Sequence, residues 1–285
     1  MESNVTARIL NGREVSRVTI GGLAQQVDSL PFVPRLVFVR AGDDPASASY
    51  VRSKSRLAVK AGIRAETVML ESHVTQRELL DTIYRLNMDP DIDGILVQLP
   101  LYRHLHAEEV LEAIDPSKDV DGFHPENVGR LWSGEAGLVP ATPMGLIRIL
   151  DHFEIPIASR HVVIVGRSNL VGKPAAALFL GRHATVTVAH SKSRNLPGLT
   201  RQADILVAAV GKAGIITKEW VNEGATILDV GQSMVGKHLL GDVDPTVAEV
   251  ASAMTPTPGG TGPMTVAMVI HNTVEAARLR RVGVG

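Results

Sequence analysis

The chain of 285 residues is long enough for one large domain or two ordinary domains, each with its own hydrophobic core. Hydrophobic residues make up 45% of it and charged residues 21%, as is typical of a soluble globular protein. The net charge of −1 produces no overall field that would attract nucleic acid or an anionic membrane. Because the chain has no cysteine, disulfides, thiolate nucleophiles and cysteine metal sites are excluded.

Residues 1–8 lack the apolar core of a signal peptide, and no apolar run approaches the roughly 18 residues that a membrane helix needs. We therefore expect a cytoplasmic protein with no membrane partner. The histidines do not show the spacing of metal ligands. His104 and His106 are two residues apart, and no His-Glu-x-x-His occurs, so no metal site is predicted.

Strand-like and helix-like stretches alternate along most of the chain. A first series predicts strands at 36–39, 67–70 and 93–97, and helices at about 46–60 and 75–87. Asp44 is a plausible N-cap of the first of these helices, with Pro45 at its first position. The order strand, helix, strand is typical of a parallel sheet whose faces are covered by helices.

A second series begins near Ser159 and predicts strands at 161–165, 184–189, 204–209 and 225–230. Proline-rich linkers flank this series at 140–143 and 255–263, and a helix is predicted after each of them, at about 144–153 and 264–280. We expect two α/β domains with a cleft between them. The first covers residues 1–143, completed by the C-terminal helix 264–285, and the second is a Rossmann-like doubly wound parallel sheet of residues 144–263.

The segment from Gly166 to Pro174 is a glycine-punctuated turn from a predicted strand into a predicted helix, which points N–H groups at an anion, usually a phosphate. A P-loop has four residues between its first glycine and Gly-Lys, followed by Ser or Thr. Here five residues precede Gly172, and Pro174 follows Lys173. The dinucleotide fingerprint fits the context, although Ser168 replaces its second glycine. The alternative is a tight turn that binds nothing.

The end of the following strand distinguishes two dinucleotides. A fold that binds NAD usually places Asp or Glu there for the ribose 2′-hydroxyl, whereas this chain has His190, Ser191, Lys192 and Ser193. A hydroxyl with cationic side chains accepts a 2′-phosphate, and Arg167 could reach the same group. NADP is therefore favoured over NAD, with an ordinary polar strand end as the alternative.

Three polar features stand out in the first domain. Tyr50 and Lys54 lie four residues apart on one helix face, a spacing that is more often a solvated lysine beside a half-buried tyrosine. Gln98 favours a functional interpretation, since it follows a strand at the edge where open α/β sheets bind ligands. Asp121 lies in an Asp-Gly turn at 118–125; such turns are mostly structural, but its carboxylate would suit a pterin's amino-pyrimidine edge.

Together these stretches resemble the bifunctional methylenetetrahydrofolate dehydrogenase/methenyltetrahydrofolate cyclohydrolase family. The matching motifs occur in family order and span nearly the whole chain, at 47–54, 97–101, 118–125, 142–145, 165–174, 229–231, 241–244 and 258–265. The resemblance implies NADP on the second domain, tetrahydrofolate derivatives in the cleft and a homodimer. It also implies a role in one-carbon metabolism and purine biosynthesis.

The resemblance assigns roles to individual residues. Asp121 would hold the pterin, Tyr50 would pack against or position it, and Lys54, held by Gln98, would help to activate the water that attacks the methenyl bridge. A lysine partly desolvated in a cleft can have a lowered pKa and act near neutrality. The cofactor would be bound by Gly166, Arg167, Ser168, Ser191 and Gln232, and the substrate also by Pro258, Gly259 and Gly260.

Some positions depart from the family pattern. Gln232 stands where an apolar residue, commonly isoleucine, is expected beside the cofactor, so the departure bears on cofactor affinity or preference. Tyr102, Ala141 and Thr261 replace a usual proline, cysteine and valine. A dehydrogenase-only enzyme is one alternative, and the presence of Lys54 argues against it. A noncatalytic nucleotide-binding module is another, and it would leave the polar residues of the first domain without a purpose.

Overall fold

A computed structural model of the protein describes residues 7–42 and 44–282, without the side chains of residues 45–47, 49 and 50. The chain divides into two compact units. The small-sheet unit consists of Arg17–Ala141 and the described residues from Val266 onward. The large-sheet unit consists of Thr142–Thr265 and the described residues up to Ser16.

The helices and strands alternate along the chain in two series. The first half contains, in order, β1 (Arg8–Ile9), α1 (Gly12–Asp28), β2 (Arg35–Ala41), α2 (Pro45–Lys60), β3 (Arg64–Leu70), α3 (Gln76–Met88), β4 (Gly94–Val97), α4 (Ala107–Glu112), α5 (Pro125–Ser133) and α6 (Ala141–His152). The second half contains β5 (His161–Val165), α7 (Gly172–Gly181), β6 (Thr185–Ala189), α8 (Leu196–Thr200), β7 (Ile205–Ala208), β8 (Thr226–Asp229), β9 (Ser233–Val235), β10 (His238–Leu240), β11 (Ala253–Met254) and α9 (Thr261–Arg281). Short 3₁₀ helices lie at Lys218–Trp220 and Pro245–Glu249.

The small-sheet unit is built on three parallel strands in the order β3-β2-β4. The apolar residues of β2 are buried on both faces of the sheet, which explains its continuous apolar run. Helix α2 begins at Pro45, as predicted, and the Ala48 N–H donates to the Asp44 carbonyl. Helix α3 begins with a capping box, in which Thr75 and Glu78 exchange side-chain and backbone hydrogen bonds.

The large-sheet unit is built on six parallel strands in the order β1-β11-β8-β7-β5-β6. The chain passes from β5 to β6 on one side and then continues with β7 on the other side of β5. This reversal of strand order is the point at which doubly wound sheets bind their ligands, outside the carboxyl ends of the strands. The predicted α/β architecture with a doubly wound parallel sheet is confirmed.

The N-terminal segment lies in the large-sheet unit, whereas the prediction assigned it to the first domain. Strand β1 pairs with β11, and the N–H groups of Arg8 and Leu10 donate to Ser252 and Met254. Because these bonds hold the segment on the large sheet, the residues before Arg17 group with that unit. Helix α1 and the antiparallel β9–β10 pair were not predicted at all. None of the described helices is long and apolar enough to cross a membrane.

Candidate active site

Lys54 and Gln98 meet at the carboxyl end of the small sheet. Helix α2 carries Lys54, and Gln98 follows the last residue of β4, with its backbone N–H bonded to the Val39 carbonyl. Lys54 Nζ donates to Gln98 Oε1 over 3.2 Å. Gln98 Nε2 donates to the Leu99 carbonyl over 2.6 Å, so the amide nitrogen faces away and its oxygen faces the lysine. Tyr50 lies one helical turn before Lys54, and its side chain lies outside the described part of the structure.

Asp121 lies within electrostatic range of this pair. Asp121 is partly buried, and burial raises the pKa of its carboxyl group to about 6, while the charge of Lys54 lowers it and that of Asp119 raises it further. The structure therefore brings three of the predicted catalytic residues together in one unit: Lys54, Gln98 and Asp121. A carboxylate, an amide and an ammonium at one strand edge can orient a polar heterocycle and a water molecule.

The turn that carries Asp121 is held from inside by Asp119. The Asp119 carboxylate accepts hydrogen bonds from the Gly122 N–H at 3.1 Å, the His124 N–H at 2.7 Å and Asn127 Nδ2 at 3.0 Å. Gly122 has φ +74°, and a Cβ there would overlap with the backbone between Val139 and Pro140. The conformation of the Asp121 turn is thus set by a buried carboxylate and a glycine.

Two further buried side chains support this turn. Asn272 of α9 donates through Nδ2 to the carbonyls of Val120 and Val139, both at 2.8 Å. Lys118 Nζ donates to three carbonyls around the end of α3. Sequence reasoning missed the supporting roles of Asp119 and Asn272. The available signal for Asn272 was a single amide within a long, mostly apolar helical pattern.

The predicted phosphate loop joins β5 to α7 in the large-sheet unit. Gly166 has φ +129°, and an added Cβ would overlap with the Ala209 carbonyl; one at Gly172 would overlap with the Gly166 carbonyl. Only glycine allows this close approach. Ser168 Oγ accepts from the N–H groups of Val171 at 3.1 Å and Gly172 at 3.4 Å, at the start of α7. The positive end of α7, closely packed glycines and an exposed hydroxyl fit a dinucleotide phosphate.

The end of β6 lies beside this loop. The Gly166 N–H donates to the Ala189 carbonyl over 2.8 Å, and Val165 is in register with Ala189. Arg167 and Ser191 therefore follow adjacent strand ends, and both are exposed. The neighbouring turn is closed by the His190 N–H bonded to Ser193 Oγ and the Lys192 N–H bonded to His190 Nδ1. This hydroxyl-rich, cationic strand end suits a 2′-phosphate.

The remaining predicted residues also lie in the large-sheet unit. Gln232 follows β8, is exposed, and places its amide nitrogen over Gly262 at the start of α9. The segment Pro258–Gly260 packs on the start of α1, where the Arg13 N–H donates to the Gly259 carbonyl over 3.2 Å. The predicted substrate-binding residues thus form two sets, one in each unit. Within residues 7–42 and 44–282, no three His, Asp or Glu side chains are grouped to hold a metal ion.

A doubly wound sheet with a dinucleotide-type phosphate loop, and a separate α/β unit with a lysine–glutamine–aspartate group, define a two-domain enzyme that uses a dinucleotide. The family model for the tetrahydrofolate dehydrogenase/cyclohydrolase catalytic domain matches residues 10–121, and that for the NAD(P)-binding domain of the same enzymes matches residues 140–281. The chain belongs to the tetrahydrofolate dehydrogenase/cyclohydrolase family, as its ordered motifs predicted.

Individual relatives match over almost their whole length. The bifunctional protein FolD of Thermus thermophilus is 52% identical over 279 residues, which cover 98% of this chain and 99% of the relative. The structure of bifunctional FolD from Campylobacter jejuni has a TM-score of 0.93 and 41% identity, covering 96% of this chain and 99% of that one. FolD of Trypanosoma brucei, solved with NADP cofactor and an inhibitor, has a TM-score of 0.91 and 34% identity, covering 97% and 99%.

Proposed function

We propose that this protein oxidises methylenetetrahydrofolate to methenyltetrahydrofolate with NADP and hydrolyses the product to formyltetrahydrofolate, in one-carbon metabolism. The observation that carries this proposal is the hydrogen bond from Lys54 Nζ to Gln98 Oε1, 3.2 Å long, beside the Asp121 carboxyl group. The dehydrogenase reaction alone has no need of such a lysine. Hydrolysis does, because a water molecule must be positioned and lose a proton.

The dehydrogenase step relies on binding and orientation. When bound, NADP would supply the acceptor for a hydride from the bridging methylene of the folate. Gly166, Ser168 and the start of α7 would hold its phosphates, and Arg167 with Ser191 would hold the 2′-phosphate. Asp121 fixes the pterin through its amino-pyrimidine edge. The positive charge that remains on the folate is shared by two nitrogens, so the protein needs no acid or base at this step.

The cyclohydrolase step adds water to the carbon of the methenyl bridge, after which one carbon–nitrogen bond breaks to leave a formyl group. We propose that Lys54 helps to activate this water, with Gln98 holding the lysine nitrogen in place. Because the Gln98 amide is itself fixed by the Leu99 carbonyl, the lysine nitrogen is directed without its charge being neutralised. Tyr50, one turn earlier on α2, would pack against or position the pterin, and the segment Pro258–Gly260 is a further candidate for substrate binding.

Replacement of Lys54 tests the assignment. Lys54→Met keeps most of the length of the side chain and removes its nitrogen, so cyclohydrolase activity should fall by about a hundredfold or more while hydride transfer persists. Methenyl decay and NADPH formation measure the two steps spectrophotometrically on the same preparation. Lys60→Met, at the exposed end of the same helix, is the matched control and should change neither rate. Equal survival of both activities in Lys54→Met would contradict the assignment.

We further propose that the protein is a cytoplasmic homodimer whose product serves purine biosynthesis as a formyl donor. The resemblance to the family supports all three statements. The homodimer also has support from β3, which pairs only with β2 among the described strands and leaves its other edge open. An open edge strand presents unpaired backbone groups to which another strand can add.

A further inference from the structure

Two aspartates are buried where β7 and β8 of the large sheet end. Asp229 is the last residue of β8, and Asp242 follows β10. Their relative exposures are 3% and 0%. Burial raises the pKa of Asp229 to about 6, against the lowering effect of backbone N–H groups from Asp242, Val243 and Gly231. Neither carboxylate forms an ion pair with a described residue, so N–H donors must stabilise both.

The Asp242 carboxylate organises the loop that follows β7. It accepts hydrogen bonds from the N–H groups of Val210 at 2.6 Å, Gly211 at 3.0 Å and Lys212 at 2.7 Å. Convergence of three successive N–H groups on one carboxylate constrains the loop, in which Gly211 adopts φ +71°. The shape of the loop at residues 210–212 therefore depends on Asp242.

Asp229 in turn fixes Asp242. Asp229 Oδ1 accepts from the N–H groups of Gly231 at 2.9 Å and Asp242 at 3.0 Å. A Cβ at Gly231 would overlap with the Asp242 carboxyl group, and a Cβ at Gly241 would overlap with Asp229 Oδ2. The two glycines thus leave the space that the two carboxylates fill. One connected group links the loops after β7 and β8.

These loops lie on one particular side of the predicted cofactor site. In a doubly wound sheet the first strand takes the pyrophosphate and the next strand takes the ribose of the adenosine half. Here those strands are β5 and β6, while β7 and β8 continue on the opposite side of β5. The loop at 210–212 directly follows Ala209, whose carbonyl packs against Gly166 of the phosphate loop. The two loops therefore lie on the nicotinamide side of the pyrophosphate.

We infer that Asp242, held by Asp229, is a positioning residue that shapes the loops at 210–212 and 230–232 to receive the nicotinamide half of NADP. The inference rests on the proposed function, since it concerns the same cofactor. It assigns these carboxylates no contact with the cofactor and no role in binding its adenosine half. Loss of these carboxylates should therefore weaken the binding of NADPH and not that of 2′,5′-ADP, which carries only the adenosine half.

Asp242→Asn is the direct test, because it places an amide NH₂ against N–H groups that need an acceptor. We expect the affinity for NADPH and the kcat/KM of hydride transfer each to fall by about tenfold or more. The affinity for 2′,5′-ADP should stay within about twofold, because Arg167 and Ser191 are untouched. Cyclohydrolase activity without cofactor should also be retained. Asp244→Asn is the matched control, since this nearby carboxylate caps only a 3₁₀ helix.

A second variant keeps the test decisive if Asp242→Asn does not fold. Gly211→Ala adds a methyl group that meets no atom within 4 Å, at a residue with φ +71°. It should strain the loop without affecting the core and show the same selective loss of NADPH affinity. Gly224→Ala is its control, because Gly224 has φ +79° and open surroundings but precedes β8, so it lies at the amino ends of the strands, away from the predicted cofactor site.

Two results would overturn the inference. One is NADPH affinity within about twofold of the unmodified protein in both Asp242→Asn and Gly211→Ala. The other is a parallel loss of NADPH and 2′,5′-ADP binding in Gly211→Ala, which would mean that the loop only supports the fold. If the proposed function is wrong, the unmodified protein will show no hydride transfer. The ratio of the affinities for NADPH and 2′,5′-ADP will still test the inference in that case.

Discussion

Two lysines near the folate residues show how the same side chain serves different purposes. Lys118 is 1% exposed, and its ammonium is surrounded by three backbone carbonyls near the end of α3. All three of its N–H donors are thus used, and we assign it a structural role. Lys54 is partly exposed, and among the described side chains it donates a hydrogen bond to Gln98. In the proposed reaction this ammonium helps to activate the water.

Asp121 predicts a pH dependence of folate binding. The pterin edge donates hydrogen bonds, so the ionised carboxylate is the binding form. Since burial raises the pKa of Asp121 to about 6, affinity for a stable folate such as folic acid should be constant above pH 7. It should fall by about tenfold per pH unit well below pH 6. Fluorescence titration between pH 5 and 8 measures the change, and unaltered affinity at pH 5 would contradict the prediction.

Asp121→Asn provides the control for that titration. Its affinity should be low at every pH, because the amide presents an NH₂ to the donors of the pterin. The same carboxyl group also affects stability. Its folded pKa is raised above the unfolded value of 3.8, so protonation favours the folded state. Its contribution to the free energy of unfolding is therefore full below pH 3.8 and declines as the pH rises through about 6.

At the scale of elements, helix α9 supports the Asp121 turn through one side chain. Asn272→Ala removes both hydrogen bonds from Nδ2 and leaves the Val120 and Val139 carbonyls without this donor. We expect the free energy of unfolding to fall by about 1–3 kcal/mol. The KM for the folate should rise as well, because Val120 directly precedes Asp121.

Thermal unfolding and initial rates measure the two effects of Asn272→Ala. For a chain of this size the melting temperature should fall by roughly 2–4 °C for each kcal/mol. Arg278→Ala on the same helix removes only an exposed ion pair with Glu275 and should change both quantities little. An unchanged KM in Asn272→Ala would show that α9 does not position Asp121.

Five of the seven strands that the sequence predicted share a physical property. Strands β2, β4, β5, β7 and β8 are buried on both faces, so they read as uninterrupted apolar runs. Helix α1 was missed, although Val15, Ile20, Leu23 and Val27 lie on its buried face. Its glycines have low helix propensity, and packing of the apolar face outweighs that propensity. Strand β1 has only two residues, too few for any pattern.

At the scale of the whole molecule, the open edge of β3 predicts how two chains associate. Met69 lies on this strand and is 53% exposed. If a second chain packs against the edge, Met69→Lys should dissociate the dimer, because it buries a charge in the interface. Light scattering should then show the 30.5 kDa of one chain in place of about 61 kDa.

Met88→Lys is the control for this prediction. Met88 ends α3, is 83% exposed and is not part of β3, so its replacement should leave the measured mass unchanged. A mass of 30.5 kDa for the unmodified protein would contradict the dimer itself. An unaltered dimer in Met69→Lys would instead contradict the proposed interface.

The sequence by itself determined the family and the α/β fold, because ordered motifs, buried parallel strands and glycine turns leave local patterns. It indicated the phosphate loop at Gly166 and named Lys54 and Gln98. Only the tertiary structure decided that β1 belongs to the large sheet, and that Asp119 and Asn272 hold the Asp121 turn. The tertiary structure alone also showed that Asp229 and Asp242 accept hydrogen bonds from N–H groups of residues far away in the chain. Such contacts join residues far apart in the chain, so their partners become known only when the chain has folded.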